Sequence, residues 1–295
     1  SEIKRGCYHA PPGRPPRRIA LVLERVEAMA PEAREGLFDG VRSLLEGLLG
    51  EGDESMIVTW DGRVRSVLDL TGDSGAIERS LAATEAAFGQ TASGIGSLGR
   101  DAGKPWFGGS PRESGGPGES PGPAPRPDGL EVRRKASTLR ALAAFLGGLD
   151  GRRAIVFVAD RLPRYPSAAR PADAASSPRG REEKRVGGLD LLPILEDLIS
   201  AANAHDVSVY GLSPGEGGRD VEGLELVASR TGGFAASGPS SIRPFFERLA
   251  SELDSWYVLG YSPPGRKGGA VPVSVRSRNP RLRVRSRATA VQRSP

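Results

Sequence analysis

Short apolar runs alternate along the chain with longer amphipathic segments. The runs RIALVLE, ESMIVTW, RAIVFVA and DVSVYGL are each long enough for a strand that is buried on both faces. In the segments between them, such as Pro31–Leu49, apolar residues recur every three or four positions, which is typical of a helix with one buried side. This alternation predicts an α/β protein with a mostly parallel, twisted sheet and helices on both faces.

Turn and capping signals place the remaining elements. Asp61-Gly62 predicts a tight hairpin that adds one antiparallel strand, RVRSVLDL. Asp73 is expected to cap a helix that runs to Phe88. The same patterns predict short strands at GFAAS and SWYVLGYS, and further helices at Ser137–Leu149, Leu189–His205, Val221–Thr231 and Ser241–Leu253.

Glycine and proline mark the boundaries between segments. The chain contains 40 Gly and 25 Pro, so a substantial part of it is expected to be loop. We predict a Pro/Arg-rich leader over residues 1–17 and a main domain over 18–262, interrupted by loops at 89–135 and 163–188. Residues 263–295 alternate with period two around Asn279-Pro280, which predicts an antiparallel hairpin extension.

Charge and cysteine content exclude several kinds of protein. The formal net charge is +5, but residues 266–295 hold nine Arg or Lys and no Asp or Glu, so the rest of the chain is mildly acidic. The basic pI therefore does not indicate a nucleic-acid-binding domain. Cys7 is the single cysteine, and with only His9 and His205 it cannot form a zinc site. No apolar run approaches the roughly 18 residues of a membrane span.

Two motifs resemble catalytic or cofactor signatures but lack the required context. Residues 94–99, GIGSLG, match the dinucleotide pattern GxGxxG, yet they follow a predicted helix instead of a strand. Residues 72–75, GDSG, are typical of a serine-protease nucleophile, but no histidine base accompanies them. We therefore predict no catalytic centre and no enzyme activity. An α/β enzyme with an unrecognised site is kept as a second alternative.

Two carboxylates are predicted to meet at one edge of the sheet. Glu24 ends the first strand, and Asp160 follows the run IVFVA. Thr138 starts the predicted helix that precedes this run, so its loop can lie above the same edge of the sheet. Because the carboxyl ends of parallel strands line the same crevice, these three side chains are expected to converge there. Two carboxylates and a hydroxyl suit a hard cation such as Mg²⁺.

The segments that carry these residues resemble a von Willebrand factor A (VWFA) domain. RIALVLE, STLRALAAFL and GRRAIVFVAD resemble its three metal-binding segments. TGGFAA followed by SWYVLGYSP, with the ending VPVSVRSRNPRLRVRSR, resembles the VWFA-related domain common in acidobacterial proteins. The resemblance runs from about Arg18 to about Arg287. It implies a VWFA-type, Rossmann-like fold, a protein-binding role and an extracytoplasmic setting, periplasmic or secreted.

The family's metal motif is only partly present. That motif is Asp-x-Ser-x-Ser after the first strand, plus a Thr and an Asp from later loops. The matching positions here are Glu24, Val26, Ala28, Thr138 and Asp160, so both serine ligands are missing. The resemblance therefore implies a degenerate, metal-free site with no cofactor. The alternative is a divalent-metal-dependent adhesion module in which Glu24, Thr138 and Asp160 bind Mg²⁺.

Four arginines near the C-terminus form a charged stripe. They alternate with other residues, so all four are expected to project from one face: Arg281, Arg283, Arg285 and Arg287. Such a stripe protects a sheet edge from stray pairing, or it binds an acidic surface or an anionic polymer. The stripe has no aromatic side chains, which argues against single-stranded nucleic acid. We therefore expect a non-enzymatic protein-interaction or scaffold module with a protein partner.

Overall fold

The buried apolar runs form the strands of one sheet. The computed structural model describes residues 15–26, 29–89, 128–165, 191–215, 221–255, 270–279, 281 and 284–291. The predicted strand SWYVLGYS, the GxGxxG motif and most of the two predicted loops lie outside these ranges. Within them, the strands of the main sheet are β1 (Arg17–Glu24), β2 (Glu54–Trp60), β3 (Val64–Thr71), β4 (Arg152–Val158), β5 (Val207–Ser213) and β6 (Ala235–Ser237).

The sheet has the order β3-β2-β1-β4-β5-β6, and only the β2–β3 pair is antiparallel. Helices on both faces supply the crossovers between the parallel strands. These helices are α1 (Pro31–Leu48), α2 (Ser74–Gly89), α3 (Asp128–Gly147), α4 (Leu192–Ala204), α5 (Glu222–Arg230) and α6 (Ile242–Asp254). The predicted α/β fold class is confirmed.

Alternation along the central strand divides the core into two layers. Ile19, Leu21 and Leu23 of β1 pack in one apolar cluster with α1, α2 and α6. Ala20 and Val22, which point to the opposite face, pack in a second cluster with α3, α4 and α5. Because successive side chains of a strand point to opposite faces, one continuous apolar run serves both layers.

Two local signals act as the sequence predicts. Gly62 has φ +89°, a left-handed conformation that favours glycine, and Trp60 pairs with Val64 across the turn. Asp73 precedes α2, and its Oδ1 accepts hydrogen bonds from the backbone N–H groups of Gly75 at 2.9 Å and Ala76 at 3.1 Å. The carboxylate therefore satisfies two N–H groups that have no partner inside the helix.

Two element boundaries differ from the sequence prediction. Helix α3 begins at Asp128 instead of Ser137, inside the segment predicted as loop. Its early turns are rich in charge, yet Val132 and Ala136 are buried on the sheet side. Strand β1 begins at Arg17, the last residue of the predicted leader, and that arginine is 1% exposed. Both elements therefore begin earlier than the boundaries that were placed from glycine and proline content.

The C-terminal extension forms an antiparallel pair. Strand β7 (Ala270–Pro272) pairs with β8 (Thr289–Val291), and the Val273 N–H donates to the Ala288 carbonyl at 2.9 Å. The predicted antiparallel extension is confirmed by this pairing. The extension contacts the main domain where the Ala288 N–H donates to the Arg230 carbonyl at 3.1 Å.

Candidate functional site

The strand order creates a crevice between β1 and β4. From β1 the chain continues to β2 on one side, whereas β4 and the later strands lie on the other side. The connections that follow β1 and β4 therefore run in opposite directions. Open α/β sheets bind ligands at the carboxyl ends of two such strands. Glu24 is the last residue of β1, and Asp160 follows β4 by two positions.

A lysine ammonium lies in this crevice against Glu24. The Lys135 Nζ is 2.8 Å from the Glu24 carboxylate, 2.8 Å from Glu131 Oε1 and 3.0 Å from the Arg161 carbonyl oxygen. The contacts with Glu24 and with the Arg161 carbonyl are hydrogen bonds, and the contact with Glu131 is an ion pair. The Lys135 side chain is 1% exposed and that of Glu24 is 9% exposed. The pair is therefore shielded from solvent.

The position of Lys135 on α3 directs it into the crevice. Val132, Ala136 and Leu139 of the same helix are buried against the sheet. Lys135 belongs to that stripe, because residues three and four apart share one side of a helix. Glu131, one turn earlier, can then reach the same ammonium.

Backbone groups complete the surroundings of the Glu24 carboxylate. The Asp160 N–H donates to Glu24 Oε2 at 3.0 Å, and the Ser213 hydroxyl donates to the Asp160 carbonyl at 2.8 Å. These bonds tie the ends of β1, β4 and β5 together. Burial raises the pKa of Glu24, while the Lys135 ammonium and the Asp160 amide oppose that shift. The carboxylate therefore depends on Lys135 for its compensating charge.

The structure places the three predicted ligands in different contacts. Glu24 and Asp160 do meet, but through the Asp160 N–H, and the Asp160 side chain is exposed. The Thr138 hydroxyl donates to the Arg134 carbonyl at 3.1 Å, within its own helix. Val26, at the position of a family serine, is an apolar residue that is 8% exposed. Ala28 lies outside the described residues.

The arrangement of Glu24, Thr138 and Asp160 does not fit a divalent cation, because the ammonium of Lys135 occupies the position beside the Glu24 carboxylate. In the described ranges, no three His, Cys, Asp or Glu side chains are grouped so that they could hold a metal ion. Lys135 is the residue of this crevice that sequence reasoning missed. Its signal was a lysine three residues after Val132 and four before Leu139, on the buried side of a helix.

The arginines of the predicted stripe do not share one environment: two of them pair with carboxylates of the main domain, and one is exposed. Arg285 is 3.1 Å from Glu252, and its guanidinium lies 5.1 Å from the Phe234 ring centroid. Arg287 pairs with Asp206; burial lowers its pKa, and the Asp206 carboxylate opposes that shift. Arg281 is exposed, and Arg283 lies outside the described residues. Partner binding by the stripe stays a prediction.

One further structural finding concerns membranes. Across the described ranges, no helix combines the length and apolar character that would be needed to cross a bilayer.

No protein-family model matches the sequence, and no curated protein matches it. Solved structures similar to the chain include the vWF domain of the pili tip protein Mfa5 from Porphyromonas gingivalis. The two sequences are 11% identical, the match covers 82% of this chain and 96% of the Mfa5 domain, and the TM-score is 0.46. The PilB minor pilin from Streptococcus sanguinis is 13% identical over 86% of this chain and 65% of its own, with a TM-score of 0.44.

Proximal thread matrix protein 1 from the mussel byssus is 11% identical, with a TM-score of 0.42. The match covers 82% of this chain but only 48% of that protein. This chain thus spans about half the length of that relative. Another structure of the same mussel protein has a zinc-occupied MIDAS motif. At such low identities and TM-scores, none of these likenesses carries an argument about what this chain binds.

Proposed function

We propose that this chain is a non-enzymatic protein-interaction or scaffold module of the VWFA type, in which a lysine ammonium stands where the family has a metal ion. The observation that supports this most is the contact of Lys135 with Glu24, Glu131 and the Arg161 carbonyl. The acidobacterial type of VWFA domain and the extracytoplasmic setting belong to the same proposal and rest on sequence resemblance.

The ammonium is the physical reason why we expect binding without a metal ion. A divalent cation at Glu24 would have to displace a buried ammonium that is tethered to α3. Mg²⁺ needs near-octahedral oxygen coordination and loses its waters reluctantly. Here Thr138 bonds to its own helix, and the motif's serine position holds Val26. Displacement would thus replace a compensated ion pair by an incomplete coordination shell.

The same contacts support a role other than catalysis. Glu24 is paired with Lys135, and the Lys135 ammonium is itself held by Glu24, Glu131 and the Arg161 carbonyl. His205, the only histidine among the described residues, follows α4, and a Cβ on Gly147 at the end of α3 would meet its ring. It lies at the amino-terminal edge of the sheet, away from the crevice. No histidine base therefore lies in the crevice within the described ranges.

Capture of a partner from the native host tests this function. The immobilised chain should retain a protein partner equally well with Mg²⁺ and with excess EDTA, since no metal bridges the contact. The variant Asp160→Ala should retain it as well, with Asp61→Ala as a control at an exposed turn. Retention that requires Mg²⁺ and is lost in Asp160→Ala would instead establish the metal-dependent adhesion module. A chain that retains no protein contradicts the interaction role.

A further inference from the structure

The arginines of the C-terminal extension fall into two groups. Arg285 and Arg287 are both paired with carboxylates of the main domain, Glu252 and Asp206. The second group consists of exposed arginines whose side chains have no ion-pair partner among the described residues. We call this group the arginine tip: Arg276, Arg278 and Arg281.

Local structure holds the arginine tip outward. Along residues 271–278 the exposure alternates, with half-buried valines and Ser277 on one side and Arg276 and Arg278 on the exposed side. Two residues of an extended chain span about 6.6 Å, so these two guanidinium groups start from neighbouring positions on one face.

Local hydrogen bonds on both sides of Asn279 lead from these two arginines to Arg281. The Asn279 N–H donates to the Ser277 hydroxyl oxygen at 3.0 Å, and the Arg281 N–H donates to Asn279 Oδ1 at 3.0 Å. Asparagine and serine side chains commonly stabilise turns in this way. Arg281 follows Arg278 by three residues in a segment, residues 266–295, that contains no Asp or Glu.

The composition of the tip favours carboxylates as its ligands. All cationic residues between positions 270 and 291 are arginines, and none is lysine. Protection of a sheet edge requires only charge, and lysine serves that purpose well. Arginine adds a planar fork of donors that binds a carboxylate through two parallel hydrogen bonds. Residues 270–291 contain no aromatic side chain on which a nucleic-acid base could stack.

We propose that the arginine tip binds an acidic segment of a protein partner in which carboxylates alternate along an extended chain. Alternate residues of such a segment have the same spacing as Arg276 and Arg278, so two carboxylates can meet two guanidinium groups. This inference rests on the proposed protein-interaction function and adds the chemistry of the partner.

A labelled peptide in which glutamate alternates with serine serves as the probe, and fluorescence anisotropy measures its binding to the full chain. The affinity should fall as salt is raised, because exposed charges are screened. The variant R276Q/R278Q/R281Q should bind at least about tenfold more weakly, a difference of about 1.4 kcal/mol. A matched variant, R63Q/R133Q/R140Q, removes the same charge from other exposed sites and should bind like the wild type.

Both triple variants should unfold in urea at the wild-type concentration, since the side chains they change are exposed. A peptide with glutamine in place of glutamate should not bind. The proposal is overturned if the tip variant binds like the wild type, if both triple variants lose the same affinity, or if heparin binds while the peptide does not. The probe contains no metal and does not involve Lys135. Failure here would therefore leave the outcome of the partner-capture experiment unaffected.

Discussion

Replacing Lys135 by methionine should lower the free energy of unfolding by about 3–5 kcal/mol, because the Glu24 carboxylate then stays buried without its cation. Methionine keeps most of the side-chain volume, so the loss reports the charge and not a cavity. Urea unfolding measures the change. Arg133→Met is a matched control, since Arg133 is exposed on the same helix, and it should shift stability by no more than about 0.5 kcal/mol.

The cost of Lys135→Met should depend on pH in a defined direction. Burial already raises the pKa of Glu24, and loss of the ammonium raises it further. The stability gained by protonating Glu24 in the folded state is fully present below its unfolded pKa and is lost as pH rises through the folded pKa. The variant should therefore approach the wild type in acid.

Removing both charges in K135M/E24Q should restore much of the stability at neutral pH, because a neutral pair leaves no charge uncompensated. If Lys135→Met unfolds at the wild-type urea concentration, the ammonium does not compensate Glu24. The structure of the crevice would then have to be revised.

Asp53→Asn, at the opposite edge of the sheet, should also lower the free energy of unfolding by about 3–5 kcal/mol. Asp53 Oδ1 accepts from the Arg17 N–H at 2.6 Å. Its Oδ2 accepts from Arg17 Nε and Nη2, both at 3.2 Å, and from the Gly50 N–H at 2.9 Å. Both side chains of this ion pair are 1% exposed. Asparagine removes the buried counter-charge of the guanidinium, which then keeps, among the described residues, only the exposed Asp254 at 3.7 Å, and it also removes one of the two carboxylate acceptors.

Asp61→Asn is the control for this second variant. Asp61 also pairs with an arginine, Arg65, but these side chains are 41% and 46% exposed. An exposed pair contributes about 0–1 kcal/mol, so Asp61→Asn should change urea unfolding little. Equal effects of the two variants would show that Arg17 is not held by a buried ion pair.

The fold could be predicted because its signals are local. The apolar runs of β1 and β4, the Asp61-Gly62 turn and the Asp73 cap each depend on residues close together in the sequence. The meeting of Glu24 with the Asp160 segment was also predictable, since both follow parallel strands and such strands end at the same edge.

The chemistry of the crevice could not be predicted in the same way. Lys135 and Glu24 are 111 residues apart, and Arg17 and Asp53 are 36 apart. A charged residue taken alone is expected at the surface, and its burial depends on a distant partner. The contact of Thr138 was equally hard to predict. A threonine hydroxyl inside a helix either faces a site or donates to the carbonyl four residues earlier, and Thr138 donates to the Arg134 carbonyl.

The C-terminal tail contains one feature that the sequence predicted and one that it did not. Its period-two pattern predicted an extended antiparallel pair, which β7 and β8 form. The same pattern gave four equivalent arginines, yet Arg285 and Arg287 pair with Glu252 and Asp206 of the main domain. Which arginines stay exposed depends on where those two carboxylates lie in the folded chain.

One measurement tests most directly whether Lys135 takes the place of a divalent cation. It is the melting temperature of the wild-type chain with and without millimolar Mg²⁺ or Mn²⁺. Because the ammonium satisfies Glu24, both cations should leave the melting temperature unchanged. A cation bound at a hundred times its dissociation constant would add about 2.7 kcal/mol to the free energy of unfolding. A rise of several degrees that disappears in Asp160→Ala would contradict the account and show that this crevice still binds a metal ion.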